Sequence, residues 1–120
     1  MNTKILKIFI APMGFMMAMQ ATQAQMMMKE RSVFIKEAKE HVANSMIDPE
    51  SARYRNLFLS ELATQALCGE INGKNRLGGY VGFQKFYSIP FESVISTGQD
   101  DKSFEIGWNS YCKHKVADVK

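Results

Sequence analysis

The stretch with the densest chemistry runs from residue 67 to 86, "LCGEINGKNRLGGYVGFQKF". Asparagines, glycines and basic side chains alternate there with aromatics. That mixture suits a phosphate loop, a nucleic-acid grip, or a hairpin with an elaborate turn. Spacing excludes the first: Gly69, Gly73 and Lys74 approach G-x-x-x-x-G-K-[ST], but only three residues separate the glycines. Asn75 also stands where a hydroxyl would bind magnesium. Gly78, Gly79 and Gly82 do not form G-x-G-x-x-G, and a strand-like segment follows them, which excludes a dinucleotide site. Lys74, Arg76 and Lys85 interleave with Tyr80, Phe83, Phe86 and Tyr87 as a single-stranded nucleic-acid surface would. Alternate residues of a strand face opposite ways, however, so these aromatics cannot share one stacking platform. Turn chemistry explains more. Asn72, Gly73 and Asn75 tolerate left-handed backbone, and asparagine can bond its own turn. The stretch therefore reads as a strand, a structured polar turn and a partner strand.

Five residues of this hairpin are candidates for binding: Asn72, Lys74, Asn75, Arg76 and Tyr80. Amides and amines match the carbonyls and hydroxyls of a protein or glycan, and tyrosine supplies apolar area. An enzyme would need a paired acid and base, a metal cluster or a partnered nucleophile. The chain offers Glu70 beside the motif, His41 and His114 elsewhere, and no H-x-x-x-H spacing. Glu61 with Glu70 remains open as a carboxylate pair. No catalytic residue, metal site or cofactor is assigned.

The compartment is read from the amino terminus, "MNTKILKIFIAPMGFMMAMQATQAQ". Lys4 and Lys7 precede an uncharged, mostly apolar run from Ile8 to Met19, followed by small and polar residues. This is the pattern of a cleavable secretory signal peptide, with cleavage expected after Ala24 and residues 25–120 forming one mature domain. The run is shorter than the roughly 18–20 residues of a spanning helix, and Pro12 and Gly14 interrupt it. No stable membrane span is expected after cleavage. Without Lys4 and Lys7, 13 of the 15 basic residues face 12 acidic ones. A near-neutral mature chain gives no electrostatic case for nucleic acid. Cys68 and Cys112 are the only cysteines, and in an oxidising periplasm they are expected to pair.

The remaining elements follow from periodicity. Phe34, Ile35, Ala38, Val42 and Met46 share one face of an amphipathic helix over about 29–46, with His41 at the edge of the stripe. Asp48 and Pro49 suit an N-cap and first helical position, predicting a short helix through about Tyr54. Strands are expected over 56–62, 66–72, 80–89 and 92–97. Phe104, Trp108, Tyr111 and Cys112 then line one face of a closing helix, despite Gly107. The tail "KHKVADVK" is expected to fray.

"DPESARYRN" at 48–56, "CGEINGKNRLGGYVGF" at 68–83, and a late tryptophan and cysteine together resemble a family of small uncharacterised exported bacterial and prophage-borne proteins. Its members carry D-P-x-S-A-x-[FY]-R-N and then C-G-x-[VI]-N-x-K-N-x-x-G-G-Y-x-G-F. Asp48, Pro49, Ser51, Cys68, Gly69, Asn72, Lys74, Asn75, Gly79, Tyr80, Gly82 and Phe83 match that pattern. The resemblance implies export and a shared fold, not an activity.

The expected architecture is α+β: an N-terminal amphipathic helix, a small antiparallel sheet of three to four strands, and a C-terminal helix tied to the sheet by one disulfide. The expected function is a non-enzymatic binding module of the bacterial envelope, an inhibitor or exclusion factor acting on an envelope or phage protein or a glycan. A cell-wall hydrolase and a purely structural envelope protein are the alternatives.

Overall fold

The computed structural model describes residues 13–120. Lys4, Lys7 and the first part of the apolar leader lie outside the described residues. The chain divides into two compact units, one ending at Val33 and the other spanning Phe34–Lys120. Helix α1 (Met13–Asn44) begins in the first and ends in the second. In the first unit the methionines at 17, 19 and 26–28 are exposed on that helix. No described helix is long and apolar enough to cross a membrane.

The second unit is α+β. After a single 3-10 turn (Pro49–Ser51) come β1 (Arg53–Glu61), β2 (Gln65–Asn72), β3 (Gln84–Ile89), β4 (Glu92–Ile95), α2 (Lys102–Tyr111) and β5 (Lys115–Asp118). All pairings are antiparallel, in the order β4-β3-β2-β1-β5. The sheet therefore has five strands, one more than the upper expectation. The extra one is the tail, which does not fray. His114 N donates to the buried Ser60 Oγ at 3.1 Å, and Val119 N donates to Leu57 O at 2.9 Å, so the last residues complete the free edge of β1. The helix expected after Asp48 stops at one turn. Asp48 makes no side-chain cap, and Tyr54 is drawn into β1, where its hydroxyl donates to Lys39 O at 2.7 Å.

Each face of the sheet has its own core. On one face Leu57, Leu59, Leu67, Ile71 and Phe86 pack with Ala38 and Val42 of α1, with Phe34, Ile35, Met46 and Tyr54 around them. This is the helical stripe read from the sequence. Its His41 edge is exposed, with Nδ1 2.8 Å from Ser93 Oγ. On the other face Ala66, Cys68, Tyr87 and Ile89 meet Phe104 and Cys112, flanked by Phe58, Trp108 and Tyr111. Burial of each such large apolar side chain is worth about 1.5–3 kcal/mol.

A bulge in β1 sets which of its residues reach which core. The register slips between Arg55 and Phe58, and Asn56 takes a left-handed φ of 53°. Asparagine tolerates that conformation better than most residues. Ordinary alternation sends Leu57 and Leu59 to one core and Phe58 to the other, and the extra residue brings Tyr54, three positions before Leu57, onto the face of Leu57 and Leu59. Gly69 lies opposite. A Cβ there would come 2.7 Å from Leu57 Cδ2 and 3.1 Å from Asn56 O. The Cys68–Cys112 disulfide then ties β2 to the C-cap of α2 across 44 residues, worth about 4 kcal/mol on the chain-entropy account.

Candidate functional site

The turn between β2 and β3 is held by its own signature residues. Asn75 Oδ1 accepts from Leu77 N at 3.0 Å and from Gly79 N at 3.1 Å. Asn75 N donates to Gly79 O at 2.8 Å, and Gly78 N to Asn75 O at 3.0 Å. Asn72 Oδ1 takes Gly82 N at 3.0 Å. Gly78 and Gly82 adopt φ of 81° and 104°, which a side chain would resist. The side-chain oxygens of both asparagines thus face inward, onto backbone donors that the turn would otherwise leave unpaired.

The "DPESARYRN" segment braces the same turn from below. Ser51 is buried, and its Oγ accepts Lys74 N at 2.8 Å. Tyr80 donates its hydroxyl to Ser51 O at 3.1 Å, and the Arg53 guanidinium lies 4.2 Å from the Tyr80 ring centre. Lys74 pairs with Tyr80 through an isolated bridge, and its ammonium lies 5.7 Å from the ring centre. Two residues further along β1, Arg55 stacks on Phe83 at 3.9 Å and bonds Glu70 through Nε at 3.1 Å and Nη2 at 3.2 Å. Asn56 Nδ2 donates to Glu70 at 2.7 Å. The bonds from Arg55, with help from Asn56, hold the Glu70 carboxyl below the usual carboxylate range. The two motifs are therefore one construction, with Ser51, Arg53, Arg55 and Asn56 each gripping a partner in 70–83.

What this leaves outside is small and distinct. Arg76 and Leu77 cap the turn, with Leu77 95% exposed. Val81 at 57% and Tyr80 at 36% continue the apolar surface toward β3. Of the five candidates, all lie on this hairpin. Asn72 and Asn75 shape it, Lys74 and Tyr80 lie along its stem, and Arg76 projects. Sequence reasoning missed Leu77, although its place between Arg76 and the glycine pair was a usable signal: an apolar residue in an otherwise polar turn.

No acid–base pair forms from Glu61 and Glu70. Glu61 pairs with Gln65 and Glu70 with Arg55, five residues apart along β2 and so about 17 Å. His41, Ser93 and Ser88 form a hydrogen-bonded chain, with Ser88 Oγ 2.6 Å from Ser93 Oγ. It carries the hydrogen bond of a buried hydroxyl out to the surface. Among the described residues no group of three or more His, Cys, Asp or Glu is placed to hold a metal ion. Comparisons with protein-family models, curated proteins and solved structures return no match for this chain.

Proposed function

We propose that the protein is an exported, disulfide-braced, non-enzymatic binding module of the bacterial envelope, and that its contact surface is the Asn72–Gly82 turn. The envelope assignment rests on the leader pattern and the resemblance given above. The binding assignment rests on one observation: a nearly bare Leu77 at the apex of a turn whose backbone is bonded internally. The Leu77 side chain adds almost no buried area to the fold, whereas seating it in a partner's pocket would recover about 1.5–3 kcal/mol. A turn already ordered loses little conformational freedom on docking, which is how inhibitory loops reach useful affinity. In this reading Arg76, Leu77, Tyr80 and Val81 touch the partner. Asn72, Lys74 and Asn75 hold the turn and offer their remaining amide and ammonium donors at its flanks. The partner is a protein with an apolar pocket beside an acidic group, as an inhibitor or exclusion factor of an envelope or phage protein would require.

A purely structural role has one observation in its favour, the inward bonding of Asn72 and Asn75. Capture from envelope fractions separates the two. The wild-type oxidised protein should retain a discrete protein that a Leu77→Asp variant loses, at unchanged melting temperature. Equal retention by both would leave the structural role standing.

A further inference from the structure

We infer that a second site, independent of the turn, binds a neutral saccharide in the cleft between α2 and the adjoining ends of β2 and β3. The cleft holds about 710 Å³, within the roughly 300–1,000 Å³ typical of small-ligand sites. Glu105, Trp108 and Asn109 line it from successive turns of α2, and Glu70, Phe83 and Lys85 line it from the sheet side. Charge argues for the ligand class. The carboxylates of Glu70, Asp101 and Glu105 are matched by the ammonium groups of Lys85 and Lys113 and by Arg55, which is bonded to Glu70. An anion would meet three carboxylates, and a cation would meet two lysines. A hydroxyl-rich neutral molecule can donate to the former and accept from the latter.

The polar groups are also sorted by availability. Asp101 is committed to capping, accepting from Thr97 N, Thr97 Oγ1 and Phe104 N at 3.0 Å each. Glu70 is committed to Arg55 and Asn56. Glu105, Asn109 and Gln99 are exposed at the rim, and each offers the paired oxygens or the amide oxygen and nitrogen that grip adjacent sugar hydroxyls. Trp108 and Phe83, also in the lining, are half-buried. The Lys85 ammonium lies over the Trp108 ring, 5.3 Å from its centre, so the lysine's methylene stem and the Phe83 ring supply the apolar lining that sugar C–H groups would meet.

Trp108 is the only tryptophan and lines the cleft, so all tryptophan emission comes from this one side chain. The oxidised full chain, titrated with chitotriose and separately with cellotriose, should show a saturable change in Trp108 emission and in its indole N–H resonance. The midpoint should lie at or below about 1 mM. Asn109→Ala or Glu105→Gln should weaken it about tenfold at unchanged melting temperature, and Leu77→Asp should leave it unaltered. Response to chitotriose alone supports the site and assigns acetamido recognition; response to both supports it through hydroxyls. Absence of a saturable change in both signals for both sugars, or unaltered affinity in both cleft variants, overturns it.

Discussion

At the scale of single residues, Asn75 carries the most structural weight for its size. Its side-chain oxygen accepts two backbone donors, and each such bond contributes roughly 0.5–1.5 kcal/mol net. Asn75→Ala should therefore lower the unfolding free energy by about 1–3 kcal/mol, read by urea denaturation, while Asn75→Asp should stay near wild type because it keeps the acceptor. A loss below half a kilocalorie in the alanine variant would mean the turn holds without it. Tyr54 makes a second residue-scale prediction. Burial pushes its phenol from an ordinary value near 10 up to about 12, because the charged form would lose solvent. Its folded-state value is raised, so the stabilisation is complete below about pH 10 and is lost as pH rises through about 12. A spectrophotometric titration should show this tyrosine ionising last, and Tyr54→Phe should remove that step. The asparagines were legible as turn formers because their bonds span two to ten residues and need only the local chain. Asn56 was not, because its partner Glu70 is fourteen residues away and only the paired strands bring them together.

Among the elements, α2 shows why propensity alone misreads a glycine. Gly107 costs a helix about 1 kcal/mol relative to alanine, yet a Cβ there would overlap the Tyr87 hydroxyl and ring. Gly107→Ala should thus destabilise the protein by about 1–3 kcal/mol and lower the melting temperature, against the helical preference. A rise would show that Tyr87 can move aside. The same helix begins on Asp101, whose carboxyl the Thr97 and Phe104 amides and the Thr97 hydroxyl hold below its ordinary value. For Asp101 and Glu70 the folded-state value is depressed. Their stabilisation is present above the ordinary carboxylate range and is lost as pH falls from there through the depressed values. Melting temperature should fall on that acid limb, modestly because both groups are open to solvent, and the double change Asp101→Asn with Glu70→Gln should flatten it. An unchanged slope would place the acid sensitivity elsewhere. The α1 stripe and the α2 aromatic face could be read from periodicity, since helical repeat is local. The tail strand β5 could not: "KVAD" has weak alternation, and it is ordered by Ser60 and Leu57 on a strand more than fifty residues earlier. The expected helix after Asp48 failed for a related reason, since Ser51 and Tyr54 find better partners in Lys74, Tyr80 and α1.

For the whole molecule, two cores on opposite faces of one thin sheet have to be kept together by β1, with its bulge, and by the Cys68–Cys112 bridge. Changing both cysteines to serine should lower unfolding free energy by about 4 kcal/mol, measured by denaturation of the oxidised and mutant chains. A difference under one kilocalorie would show that the second core needs no tie. The arrangement concentrates rigidity at one end of the sheet, where residues 51–56 grip residues 70–83 and a leucine is left bare on top. Rigidity of that turn is the premise from which the binding proposal descends. Backbone ¹⁵N relaxation of the free, oxidised protein measures it directly. Leu77, Gly79 and Gly82 should show order parameters close to those of β2 and β3, near 0.85. Values below about 0.6 at those three amides would contradict the account, because a floppy turn could not present Leu77 as a preformed wedge.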